Sequence, residues 1–259
     1  MQNDPSIIAS LNNFQGGYSK SNPILRSVSF SLKPGSLTAI IGPNGAGKST
    51  ILKALNGQLP FTSGDALVCS RPILSYSPRQ LARLVASASS MGDGNACTAL
   101  AYTLLGRTPH RDILSLRDSD ADVSIALEAL SLMGVSHLAN RPTSQLSEGQ
   151  RQMVCLARAI TQSPRLLLLD EPTANLDPAN QQRILCKIKE VTTSRKIASL
   201  ASLHDINAAL QWADDVILIK DGTIVALGPT AKVLTAPNLS LTFGVTFKQL
   251  HALLPDTPI

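Results

Sequence analysis

The sequence predicts an α/β fold: a mixed sheet flanked by helices around a glycine-rich loop, with an antiparallel β subdomain ahead of it and an α-helical subdomain inserted. Three observations carry this expectation. The apolar, partly β-branched run Leu37–Ile41 passes straight into Gly42-Pro43-Asn44-Gly45-Ala46-Gly47-Lys48-Ser49-Thr50, which has the spacing G-x-x-x-x-G-K-[ST]. A second apolar run, Leu166-Leu167-Leu168-Leu169, ends in Asp170-Glu171. Between the two lie stretches with helical rather than strand periodicity.

The opening segment offers short strand-like runs, Ile7-Ile8-Ala9 and the alternating Val28-Ser29-Phe30-Ser31-Leu32, before a Pro34-Gly35 turn. Such alternation suits an antiparallel sheet with one wet face. Tyr18, after Gly16-Gly17, falls in a loop between these runs, where it is either an aromatic able to stack on an adenine ring or an ordinary surface tyrosine. After the glycine-rich loop, Ile51, Leu52 and Leu55 read as a short helix stopped by Gly57. From Gly57 to about Met91 the signals are weak, beyond a short helix running into a strand over Leu81–Ala86. The small, polar, glycine-rich run from Ser87 to Gly94 reads as a connection or hinge.

Thr98–Leu105 is then apolar and helical in character, and Val123, Leu127, Leu130 and Met133 recur at helical spacing until Gly134. Ser147 with Gln150 three positions on fits a capping box, and Met153, Val154, Ala157 and Ile160 continue the apolar face of that helix. Gly149 in its first turn is unexpected, because alanine would be better there by roughly 1 kcal/mol. Close approach of an anion would account for it. Asp177-Pro178 opens the next helix as N-cap and N1, with Ile184, Leu185 and Ile188 turned inward. Ile197–Leu203 is a further buried strand leading to His204-Asp205, and Val216–Lys220 with Thr223–Leu227 form a hairpin about Asp221-Gly222. The segment from Gly228 holds short apolar runs among prolines.

The chemistry follows from these placements. A glycine-rich turn between strand and helix presents backbone N–H groups and a helix N-terminus to an anion. Lys48 is then expected to reach the β- and γ-phosphates, and the Ser49 hydroxyl to ligate Mg²⁺. Two adjacent acids at the C-terminal end of a buried strand need a cation or solvent. Asp170 is expected to position Mg²⁺, directly or through a water, and Glu171 to orient and deprotonate the attacking water. His204 is either a structural histidine or, level with those carboxylates, a contact to the γ-phosphate.

Composition excludes other classes. The 259 residues suffice for one large domain or a core plus a subdomain. A net charge of +5 without a dense basic run, and only 3% aromatics, give little support to nucleic-acid binding, while a basic face toward anionic lipid stays open. Cys69, Cys97, Cys155 and Cys186 are scattered without a C-x-x-C pair, against a zinc site or disulfide framework and in keeping with a reducing cytosol. The N-terminus lacks a signal-peptide pattern, and no apolar run approaches bilayer length, so a soluble chain is expected.

Taken together, these residues resemble the ATP-binding subunit of an ABC transporter, with a P-loop NTPase core, over nearly the whole chain. Gly42, Pro43, Asn44, Gly45, Ala46, Gly47, Lys48, Ser49 and Thr50 are similar to its Walker A motif. Leu146–Gln150 resembles the LSGGQ signature with one change, and Leu166–Glu171 resembles Walker B with the catalytic glutamate. Asn175-Leu176-Asp177 resembles the D-loop, His204 the switch histidine and Tyr18 the A-loop aromatic. The resemblance implies an ATPase with Glu171, His204 and Lys48 catalytic, and with Ser49 and Asp170 holding Mg²⁺. ATP would be bound by Tyr18, by Gly42 to Thr50, and by Ser147, Gly149, Gln150 and Asp177. It implies a nucleotide-binding domain over 6–241, with an α/β core at 6–89 and 164–241, a helical subdomain at 90–163 and a tail at 242–259.

Leu105-Gly106-Arg107-Thr108-Pro109-His110, Leu203–Asn207, and Val233-Leu234-Thr235 with Phe243-Gly244-Val245 look like importers of iron–siderophore, haem or cobalamin. The partners so implied are a second copy of the chain, two membrane permease subunits and, indirectly, a substrate-binding protein, at the cytoplasmic face of the membrane. An importer of a metal ion or oxyanion, a soluble ABC ATPase and a weakly active regulatory subunit are the competing classes. Two departures stand out: Glu148 replaces a signature glycine, and Ser87-Ala88-Ser89-Ser90 stands where the Q-loop glutamine is expected. Glu148 is expected to point away from the nucleotide.

Overall fold

Strict alternation along five parallel strands builds the core. The computed structural model describes residues 6–19, 23–59, 61–89, 91, 97–111 and 118–247. In chain order, β1 (Ala9–Gly16), β2 (Leu25–Leu32) and β3 (Leu37–Ile41) precede α1 (Lys48–Leu55), which is followed by β4 (Phe61–Val68) and β5 (Arg71–Pro72). Next come α2 (Pro78–Leu84), β6 (Val85–Ala88), α3 (Ala99–Leu104), α4 (Asp120–Leu132) and α5 (Glu148–Thr161). Then β7 (Leu166–Asp170), α6 (Pro178–Ser194), β8 (Ala198–Ser202) and α7 (Ile206–Trp212) alternate. The hairpin of β9 (Asp215–Lys220) and β10 (Thr223–Pro229) is followed by α8 (Thr230–Val233) and α9 (Ala236–Phe243).

The larger sheet runs β10-β9-β3-β8-β7-β6, parallel except for β10, and the smaller is an antiparallel β2-β1-β4-β5 sheet. Side chains on successive residues of a strand point to opposite faces. Leu167, Leu169, Ala201, Val216 and Leu218 therefore pack on one face, with the helices α4, α5 and α6. Leu166, Leu168, Ala198, Leu200, Ile217 and Ile219 pack on the other, against α1 and the antiparallel sheet. With both faces covered, β3 and β8 are buried at every position, as parallel strands require. Each fully buried Leu or Ile contributes about 1.5–3 kcal/mol by leaving water.

Local rules account for most of the boundaries. Ser77, Thr98, Ser119, Ser147, Asp177 and Thr235 each accept a backbone N–H as N-cap of the helix that follows. The Asp221-Gly222 turn has positive φ at both residues, +49° and +76°, which matches a two-residue hairpin turn. β4 and β5 have no counterpart among the sequence expectations. β4 pairs with β1 through shifts in register near Asn13 and Gly64, and these interrupt the period-two pattern. The segment after Gly228 forms α8 and α9, whose Val233 and Leu239 join the core. The 241/242 division falls within α9, and residues 248–259 lie outside the described residues.

Between α2 and α4, the 3₁₀ stretch Leu105–His110 is tied down by Arg107, whose Nε lies 2.7 Å from Asp122 Oδ1 and whose Nη1 donates to Thr161 O at 3.0 Å. Arg107 holds the Asp122 carboxyl below its ordinary value, helped by the Ser119 hydroxyl and opposed by burial. Replacing Arg107 by alanine is expected to cost about 2 kcal/mol at neutral pH, a charge-assisted bond having been removed. An acid whose folded pKa is depressed stabilises the fold above its unfolded value and loses that contribution as pH falls through the folded one. The gap between wild type and Arg107→Ala in urea melts should therefore narrow in acid, below the ordinary carboxylate range, to what the bond to Thr161 O contributes. A gap that stays constant would show that the ion pair is not its source.

Candidate active site

Parallel pairing brings the C-terminal ends of β3, β7 and β8 to one edge of the sheet, where ligands bind in open α/β folds. From Ile41 the chain turns through Gly42–Gly47 into α1. Gly47 takes φ +107°, and a Cβ on it would lie 2.9 Å from Leu25 Cδ2, so only glycine fits. The hairpin turn braces this loop: Gly222 N–H donates to Ala46 O at 3.0 Å and Gly222 O accepts from Arg26 N–H at 2.8 Å. Lys48 is only 6% exposed, and its Nζ donates to Gly42 O at 2.8 Å and Pro43 O at 3.0 Å. Burial pushes its pKa down, while the carboxylates of Glu171 and Asp170 push it back up. The lysine is a confined cation seated on the loop's own carbonyls.

A line of side chains runs from that loop across the strand ends. Ser49 Oγ donates to Asp170 Oδ1 at 3.1 Å, and Ser202 Oγ donates to the same oxygen at 2.8 Å. Ser202 Oγ accepts the Glu171 N–H at 2.8 Å, and Glu171 Oε1 lies 2.6 Å from His204 Nε2. Glu171 has φ +49°, a left-handed backbone that turns its side chain out of the sheet, where it is 44% exposed. Lys48, Ser49, Asp170, Glu171 and His204 are thus assembled in one corner. His204 meets the glutamate rather than standing as an isolated histidine.

The other expected residues lie on neighbouring turns. Ser147 and Gln150 form the capping box of α5, with bonds of 3.3 and 3.1 Å between side chain and backbone in the two directions. Gly149 is crowded from within the chain: a Cβ there would sit 3.1 Å from Cγ and Oδ1 of Asn180. A side chain at position 149 would therefore make the Asn180 amide of α6 yield by a few tenths of an ångström. Asp177 caps α6, accepting from Asn180 N at 2.9 Å and Asn180 Nδ2 at 2.6 Å, and these bonds hold its carboxyl below the usual range. Glu148 lies 3.5 Å from Arg151, one turn on, and lines a cavity of about 280 Å³ with Ser89, Gln152, Asp170 and Glu171. Tyr18 is 60% exposed and receives a hydrogen bond from Lys53 Nζ at 2.9 Å. Ser90 lies outside the described residues.

The donor set suits a magnesium nucleotide. Asp170 and Ser49 offer one carboxylate and one hydroxyl, the sparse protein ligation typical of Mg²⁺ held largely by phosphate and water. A buried lysine beside a glycine turn and a helix start supplies the matching cationic seat. Sequence reasoning missed Ser202, Gly222 as a brace for the loop, and Asn180. Ser202 lies two positions before His204 in a strand that was otherwise recognised. Its role needs the β7–β8 register, which no local pattern encodes.

Comparison with known proteins places this geometry. The ABC transporter family matches residues 25–174. The chain is 38% identical over 239 residues to the uncharacterised ABC transporter ATP-binding protein MJ0089 of Methanocaldococcus jannaschii, covering 92% of each. It is also 38% identical to the hemin import ATP-binding protein HmuV of Myxococcus xanthus, covering 85% of this chain and 84% of that one. Among solved structures, an inward-facing ABC transporter assigned to the metal-chelate type aligns with TM-score 0.81 and 29% identity, covering 93% of this chain and 90% of that one.

Proposed function

We propose a function from one premise: this chain belongs to the ABC transporter family, and it is an ATPase that uses ATP with Mg²⁺. We assign it as the ATP-hydrolysing subunit of an importer that takes up a metal chelate of the haem, iron–siderophore or cobalamin kind. The observation that carries the enzymatic part is the run Ser49–Asp170–Ser202–Glu171–His204 beside the Lys48 loop. The importer part rests on likeness to a hemin import subunit and to a metal-chelate type transporter. Among the described residues no helix is long and apolar enough to cross a membrane. In this reading transport runs through separate permease subunits. The chain would sit against two of them at the cytoplasmic face, with a substrate-binding protein on the far side. Residues 6–241 form its nucleotide-binding domain, with 90–163 the helical part.

In this reading the loop N–H groups of Gly42–Thr50 and the Lys48 ammonium hold the phosphates, and Tyr18 stacks on the base. Ser49 and Asp170 hold Mg²⁺, which when bound neutralises charge developing on the phosphate oxygens. Glu171 orients a water and accepts its proton; His204, in hydrogen-bond contact, fixes the direction of that carboxylate. Ser147, Gly149, Gln150 and Asp177 do not serve the site of their own chain. They close over the nucleotide of a second copy, so that each of two sites is shared.

Mixing tests this arrangement. Lys48→Ala chains and Ser147→Arg chains should each be nearly inactive alone, because every site in either homodimer carries a defect. A mixed dimer contains one site with both defects and one with none. Equimolar mixing is expected to restore roughly a quarter of wild-type ATPase activity, half the dimers being mixed and half their sites sound. Absence of recovery, with mixed dimers demonstrated, would mean that the sites are not shared.

A further inference from the structure

Ser202 has no part in the sequence argument, yet every bond its side chain makes goes to an active-site residue. It is wholly buried, at 0% exposed, and faces Asp170 directly in the parallel register of β7 and β8. A hydroxyl offers one proton and accepts through its lone pairs. Here the proton goes to Asp170 Oδ1 at 2.8 Å, and the acceptor side takes the Glu171 N–H, also at 2.8 Å. One atom therefore fixes the direction of one carboxylate and the backbone of the next residue. That second bond matters because Glu171 holds φ +49°, a strained conformation that a non-glycine residue keeps only where its surroundings hold it there.

The hydroxyl is not redundant with Ser49. Ser49 reaches the same Oδ1 at 3.1 Å, but it stands at the start of α1, where its position must also answer to the phosphates. Ser202 belongs to a strand buried at all five positions and paired on both sides, so its place is set by the sheet rather than by the loop. Without it, Asp170 would be anchored by the hydroxyl that itself depends on the ligand.

We infer that Ser202 is a positioning residue: its hydroxyl aims the Asp170 carboxylate and pins the left-handed turn that presents Glu171, coupling metal affinity to the placement of the water-orienting acid. This rests on the metal role proposed for Asp170. It adds that the strength of that site is set from within the sheet, by a side chain that touches neither metal nor nucleotide.

The isosteric pair Ser202→Thr and Ser202→Val tests it, since the two differ by a hydroxyl against a methyl. Two measurements apply: amide hydrogen exchange of Glu171 in nucleotide-free protein, and the Mg²⁺ concentration for half-maximal ATP binding by calorimetry, with EDTA as baseline. The threonine variant should stay near wild type. The valine variant should exchange the Glu171 amide at least ~10-fold faster and need ~10-fold more Mg²⁺, the loss of about one hydrogen bond. Binding in EDTA should be equal in both. Equal Mg²⁺ midpoints for Thr and Val would overturn the inference. Wild-type ATP binding that ignores Mg²⁺ would instead remove the metal site itself. If the valine variant does not fold, Ser202→Ala takes its place. Should neither fold while the threonine variant does, the hydroxyl serves the fold alone and the inference fails.

Discussion

Glu171→Gln should bind ATP, hardly hydrolyse it, and accumulate as a closed dimer. The substitution keeps the shape of the side chain and a group able to bond His204, which now lies 2.6 Å away. The Glu171 N–H to Ser202 is a backbone bond and survives unchanged. What disappears is a carboxylate able to take a proton, and a positioned general base contributes 10²–10⁴-fold. Phosphate release should fall by about that factor, while calorimetric ATP affinity stays within a few-fold of wild type. Size-exclusion chromatography with ATP and Mg²⁺ should show a dimer peak that wild type loses on turnover. An unchanged rate would strip Glu171 of its role, and another acid on the same edge would have to be sought.

Lys48→Ala is expected to lose ATP affinity by about 10²–10⁴-fold. Two charge-assisted bonds to phosphate oxygens, each worth about 1.5–3 kcal/mol, are removed, and every 1.4 kcal/mol is tenfold. Stability without nucleotide should change far less. In that state the ammonium is desolvated, which offsets what its bonds to Gly42 O and Pro43 O contribute. Calorimetry with ATP and a thermal melt without it separate the two effects. Tight binding retained in the variant would contradict the assignment of the loop to triphosphate.

The strands that carry chemistry were legible because they are buried on both faces, and such strands appear as continuous apolar runs. Leu37–Ile41 and Leu166–Asp170 lie where expected, and Ile197–Leu203 contains β8. The capping box at Ser147 and the turn at Asp221-Gly222 were legible for a different reason: both are closed within four residues. β4 was not, because its register shifts against β1 erase the alternation that marks a strand. Nor was the contact that crowds Gly149, since Asn180 is 31 positions away on another helix. Ser202 failed to stand out because a serine in a buried strand has no signature of its own. Only pairing with β7 shows what it holds.

The seat of Asn180 against Gly149 has a steric consequence. Asn180 also bonds both oxygens of Asp177, one through its backbone N–H and one through its side-chain amide, so the same amide closes the cap of α6 and occupies the space beside Gly149. A bulkier residue at position 149 would have to displace the amide that closes this cap.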